Sequence, residues 1–216
     1  MEAMKALSKI IQPDPRSCDF ALTELKDAHK QLSKTRLRRG VPEDVRSYFA
    51  TIRNLCLYGR FVYAFYALAH SLTYLVIELA LRTRLEAKEQ RGRKKLHSLL
   101  KKAIDLQLIT DESFSRVRRI RSERARWRQM ERELGHRIFS DAETGRYVDI
   151  LKMELPKLRN YFAHPTYHPI DSPGTAFFAI SFAAEFINRL FKDQARPHPC
   201  KTAGSPQKLV SRRDLR

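Results

Sequence analysis

Apolar residues recur along most of the chain at three- and four-residue intervals, the spacing of one face of an α-helix. The pattern predicts a first helix over 18–36, carrying Phe20, Leu22, Leu25 and Leu32 and ended by the RLRRG run at 36–40. A second starts at Pro42-Glu43-Asp44, a proline and two acids suited to the positive end of a helix dipole. It runs through Val45, Phe49, Ile52 and Leu55 to Gly59, where glycine suits a helix C-terminus. The third, about 60–89, is apolar nearly all round until Leu81 and then turns polar, the pattern of a helix at the centre of a bundle. A shorter helix follows over 94–107, with Leu96, Leu100, Ala103 and Ile104 in period. Thr110-Asp111-Glu112 offers a cap and first-turn acids for a helix over 112–134. Another begins at Asp141 and carries Tyr147, Ile150, Leu151 and Leu155, with a kink expected near Lys152 because Pro156 interrupts it. Ser172-Pro173 is a cap and first-turn pair for a last apolar helix through Phe191. No convincing strand or internal repeat is present. The expected fold is all-α, an up-and-down bundle over 1–192 with its core at about 45–192. Residues 193–216 lose all periodicity and are expected to form a disordered basic tail.

Charge adds a direction to this picture. Lys and Arg number 42 against 24 for Asp and Glu, a formal +18 on 216 residues. Such a field favours polyanions, either nucleic acid or an anionic membrane. The membrane reading rests on Phe61–Ile77, seventeen residues free of Asp, Glu, Lys and Arg. That is the lower edge of a spanning length, but His70, Ser71 and Thr73 lie inside it and Glu78 follows directly. A buried central helix explains it better, and no stable membrane insertion is expected. The N-terminus has no long apolar stretch before Pro13, and the three cysteines (Cys18, Cys56, Cys200) are too scattered for a disulfide framework. A cytoplasmic location is expected.

The basic charge is densest between Arg116 and Arg137, which holds nine arginines. The residues Arg116, Arg119, Arg121, Arg124, Arg126 and Arg128 surround the predicted helix rather than one face of it. A basic arm over about 112–137 could follow an RNA backbone, with Trp127 stacking on a base. A solvated arm with Trp127 docked on the bundle fits the same residues.

Candidate chemistry concentrates in Leu158-Arg159-Asn160-Tyr161-Phe162-Ala163-His164-Pro165. Asn160 and His164 are four apart and share a helical face. Arg159 and His164 are about 140° apart by the 3.6-residue period and diverge. Arginine offers a fork to a phosphate and stabilises charge on a pentacoordinate phosphorus. Histidine can carry the proton of an attacking 2′-hydroxyl or of the leaving group. Asn160 can orient the imidazole. The plain structural alternative is an Arg159 that caps a helix end and a His164 that packs on Tyr161 or Tyr167. No carboxylate cluster for magnesium, no phosphate-binding glycine loop and no CxxC occurs, so no metal or cofactor is expected. His164, His168, His198 and Cys200 make a poor zinc set, since Pro165 breaks the first pair and the others lie in the predicted tail. His70 and Glu78, eight apart on the central helix, could reach a cleft or be hydrogen-bonded polar residues of the core. Cys56 reads as a small core residue.

The Arg159-Asn160-x-x-x-His164 segment resembles the signature of the HEPN superfamily, small all-helical nucleotide-binding domains of higher eukaryotes and prokaryotes. The order of the long helix ending in Glu78–Glu86, the KLHSLLKKAIDLQLI helix, the LRNYFAHP segment and the last apolar helix is similar as well, over about 45–192. The resemblance implies a bundle of four or five helices that pairs as a homodimer, with two motifs meeting across the two-fold axis. It implies a metal-independent endoribonuclease of a prokaryotic defence or toxin–antitoxin system, with RNA as substrate and an antitoxin or other protein as a further partner. Arg159, Asn160 and His164 would be the catalytic set. Other members of the family bind RNA or a partner without cutting, which is the alternative class of function. Pro156 and the arginine-rich arm depart from the family pattern.

Overall fold

The computed structural model describes residues 5–17, 24–86, 94–134, 146–163 and 172–193. Seven α-helices appear there: α1 (Leu25–Lys34), α2 (Glu43–Tyr58), α3 (Ala64–Leu85), α4 (Leu96–Asp105), α5 (Ser115–Leu134), α6 (Tyr147–Ala163) and α7 (Pro173–Leu190). No strand occurs among the described residues, and the fold is an all-α bundle.

The arrangement follows from the apolar faces. The buried residues of α3, including Tyr66, Ala69, Tyr74, Ile77 and Leu81, occupy one half of the helix by its period, and the other half is half-buried apart from exposed Ala64 and Leu68. α7, α2, α4 and α6 pack against it. α7 supplies Phe177, Ile180, Phe186 and Ile187 to the same core, and α2 supplies Val45, Phe49, Ile52 and Cys56. α3 is long and apolar enough to cross a membrane by length and composition, yet 56% of its most apolar window is buried inside the bundle.

Local signals set several boundaries. Ser172 caps α7 by accepting a hydrogen bond from Thr175 N at 3.3 Å, with Pro173 opening the helix. α1 is shorter than the pattern suggests. It stops at Lys34, two residues before the expected end at Arg36, and the predicted residues 18–23 lie outside the described set. The predicted 112–134 helix is in fact two pieces. Thr110 and Ser113 close a short 3-10 turn over Asp111–Ser113, and α5 begins afresh at Ser115.

Two helix starts are capped from far along the chain. Glu185 of α7 accepts from Ser115 N at 2.6 Å, and Asp111 accepts from Val148 N at 3.0 Å. Those carboxylates satisfy amide donors that a helix leaves open at its first turn. α4 ends with Gln107 at φ 55°, its N–H on Ile104 O and the Leu108 N–H on Ala103 O. That is the double hydrogen-bond closure usually completed by glycine.

Candidate functional site

Arg159 and Asn160 stand on the last turns of α6, where that helix crosses α3 and faces the start of α4. They line an open cleft of about 360 Å³ together with Glu78, Arg82, Lys94, Lys95, His97 and Pro156. No residue of α7 lines this cleft.

A ladder of alternating charge runs along the cleft wall. Arg159 Nε donates to Glu78 Oε2 at 2.9 Å. The other carboxylate oxygen of Glu78 accepts from Arg82 at 2.6 and 3.1 Å. Arg82 reaches on to both oxygens of Glu86 at 3.3 Å, and Glu86 also accepts from Lys94 N at 3.3 Å. The i,i+4 spacing of Glu78, Arg82 and Glu86 on α3 places them in one row. Burial works against the charge on Arg82, but hydrogen bonds and attraction from Glu78 and Glu86 outweigh it and hold its pKa above the ordinary arginine value.

This ladder fixes Arg159. One edge of the guanidinium is held by Glu78, and Nη1 donates to Asn160 Oδ1 at 3.3 Å. Nη2 makes no hydrogen bond to a described residue, and the side chain is 32% exposed. An arginine so placed can offer its remaining N–H groups to an anion while its charge stays anchored. Removing Glu78 would leave Arg159 without its carboxylate partner and Arg82 with Glu86 alone.

Of the motif, Arg159 and Asn160 line the cleft; His164 lies outside the described residues, as do Tyr167, His168, His198 and Cys200. Among the described residues no three His, Cys, Asp or Glu are grouped to hold a metal ion.

Of the two polar residues foreseen on the central helix, Glu78 enters the cleft. His70 is buried and hydrogen-bonds the Tyr74 hydroxyl at 3.0 Å. It packs on the Phe162 ring at 4.8 Å, and Tyr74 stacks on that ring at 5.4 Å. This aromatic cluster pins the end of α6 to α3 at Phe162, three residues beyond Arg159. His70 is thus a structural support for the site.

His97 was not singled out by the sequence. Its Nδ1 lies 3.2 Å from the carbonyl oxygen of Lys152, across the cleft from Arg159. The one available signal was indirect. A proline inside a helix implies an orphaned carbonyl four residues earlier, though not which side chain will find it.

The described arginines of α5 are all exposed, and those near the bundle make the following contacts. Arg118 donates to Glu112 O at 2.6 Å and pairs with Glu185, and Arg121 pairs with Glu112 at 2.6 Å and Asp111 at 3.6 Å. Arg116 lies over the Phe178 ring at 5.6 Å, and Arg119 is within reach of Glu123 at 3.6 Å. Arg116 and Arg119 line a second cleft of about 720 Å³ with Lys34, Arg36, Tyr147 and Phe178. Further out, Arg124 and Arg126 are exposed. The side chains of Trp127 and Arg128 lie outside the described set.

Comparison with family models, with curated proteins and with solved structures gave no match.

Proposed function

We propose that this chain is a HEPN-like, metal-independent endoribonuclease that acts as a homodimer, of the kind used in prokaryotic defence or toxin–antitoxin systems. The observation that carries the reading is the placement of Arg159. It is anchored through Glu78 and Arg82 at the wall of an open cleft, with Lys94, Lys95 and the Asn160 amide beside it. A purely structural arginine needs no such cleft.

In this reading a phosphodiester of the RNA sits against the outer edge of Arg159. Arg159 stabilises the charge that builds on the phosphorane oxygens as the 2′-oxygen attacks. His164 serves as acid or base, and Asn160 orients the groups about it. The products are a 2′,3′-cyclic phosphate and a 5′-hydroxyl. The basic α5 arm and its aromatic-floored cleft hold the flanking strand.

The test is incubation of purified protein with total RNA in EDTA, beside His164→Ala. Cleavage with cyclic-phosphate ends is expected, falling by about 10²–10⁴-fold in the variant. DNA, or RNA methylated at the scissile 2′-oxygen, should remain intact. RNA that is bound but not cut by the unaltered protein would move the chain to the non-catalytic class.

A further inference from the structure

Pro156 sits inside α6 and has no N–H, so the Lys152 carbonyl loses the hydrogen bond that a continuous helix would give it. His97, at the start of α4, fills that place with Nδ1 at 3.2 Å. A carbonyl can only accept, so Nδ1 carries the hydrogen. In the neutral ring Nε2 is then a bare, basic nitrogen. The tie is not needed to satisfy the carbonyl, because the site is exposed and water could do so. What it does is fix the tautomer and the orientation of an imidazole that lines the same cleft as Arg159, Asn160, Lys94 and Lys95.

We infer that His97 is the proton acceptor of this cleft, a second imidazole that takes the 2′-hydroxyl proton of an RNA bound against Arg159. The inference rests on the endoribonuclease reading above. The step balances as follows. The 2′-hydroxyl gives its proton to Nε2 while the 2′-oxygen bonds to phosphorus. The bond from phosphorus to the 5′-oxygen breaks, and that oxygen takes a proton from the motif histidine or from solvent. His97 afterwards returns its proton to water. Pro156 is a positioning residue in this scheme, acting only through the carbonyl it leaves free.

The tautomer is read first, from long-range proton–nitrogen spectra of the full chain labelled with nitrogen-15. Nδ1–H is expected at His97, and Nε2–H would overturn the inference whether or not the protein cuts RNA. Single-turnover cleavage of an RNA oligonucleotide in EDTA is then compared for the unaltered chain, His97→Ala, His97→Gln and Pro156→Ala. His97→Gln keeps a donor for the carbonyl but has no basic nitrogen. Both His97 variants should lose about 10²–10⁴-fold in rate with RNA affinity retained, and added imidazole should restore part of the rate to His97→Ala. Pro156→Ala supplies the missing N–H, so the ring should show mixed tautomers and a lower rate. Cleavage at the unaltered rate by His97→Gln would overturn the inference and leave the endoribonuclease reading standing. No cleavage by the unaltered chain would overturn that reading, and the proton transfer with it.

Discussion

Gly59 shows how a residue can be required for a reason other than its backbone freedom. Its φ is −54°, in the ordinary helical region, so the left-handed conformation is not at issue. A β-carbon there would lie 2.6–2.7 Å from the ring of Tyr66. That ring cannot retreat, because it is buried and met edge-on by Tyr63 at 5.5 Å. Gly59→Ala should therefore destabilise the fold by about 1–3 kcal/mol, read from the urea midpoint. Cys56, one helical turn earlier, shares this interior. Burial pushes its thiol from 9.0 up to about 12, and burial also raises the Tyr66 phenol from 10.0 to about 12. The sign is clear. Above pH 9 for the thiol and above pH 10 for the phenol, up to about pH 12, the unfolded chain gives up a proton that the folded chain keeps, so stability falls as pH rises through those windows. One such thiol contributes about 1.4 kcal/mol per pH unit across its window. Urea unfolding at pH 8 and 10.5 should show a shallower decline for Cys56→Ala than for the unaltered chain. Equal declines would place the thiol in contact with solvent.

At the scale of elements, what was legible depended on whether the signal was local. The start of α7 could be read because Ser172 and Pro173 lie next to the helix they cap. The split at 111–115 could not, because α5 is capped by Glu185 from seventy positions along the chain. The end of α4 was hidden for a different reason, since Gln107 adopts a conformation that a glycine would have announced. Arg159 and Asn160 were singled out by residue type and by the resemblance of their segment to the HEPN signature, and they line the cleft. The Glu78–Arg82–Glu86 row was visible only as an i,i+4 pattern, and its pairing with Arg159 across eighty-one positions was not. α5 poses the functional question at this scale. Its first turns are fastened to the bundle by Arg118 and Arg121, while Arg124 and Arg126 stand exposed further along the helix. Replacing Arg119, Arg124 and Arg126 by Ala should leave stability nearly unchanged. RNA affinity should fall, and the log–log salt dependence should flatten by roughly 0.7 for each phosphate no longer neutralised. An unchanged slope would assign the arm to protein contacts instead.

At the scale of the whole molecule, two forces act on self-association with opposite signs. α6 exposes Ile150, Met153, Leu158 and Tyr161, each at least 40% accessible. By the helical period these residues share one side of α6, interleaved with the exposed Glu154–Lys157 ion pair, and Arg159 belongs to the other side, against α3. An apolar strip of this kind favours pairing with a second copy. Against it stands the net charge of +18 on each chain, which repels the approach of an identical molecule. Salt screens that repulsion, with a Debye length of about 10 Å at 0.1 M, and leaves the apolar term intact. Raising the salt should thus shift the molecule from monomer towards dimer, seen as a rising mass by light scattering at micromolar protein. RNA binding must respond the other way, because each phosphate contact releases counterions and is weakened by salt. Met153→Glu removes the most exposed apolar side chain of this side and adds an unpaired charge beside the Glu154–Lys157 pair, and should hold the chain monomeric at every salt concentration. If it pairs as readily as the unaltered protein, the two-fold contact lies on another face, and the dimer proposed above does not run through α6.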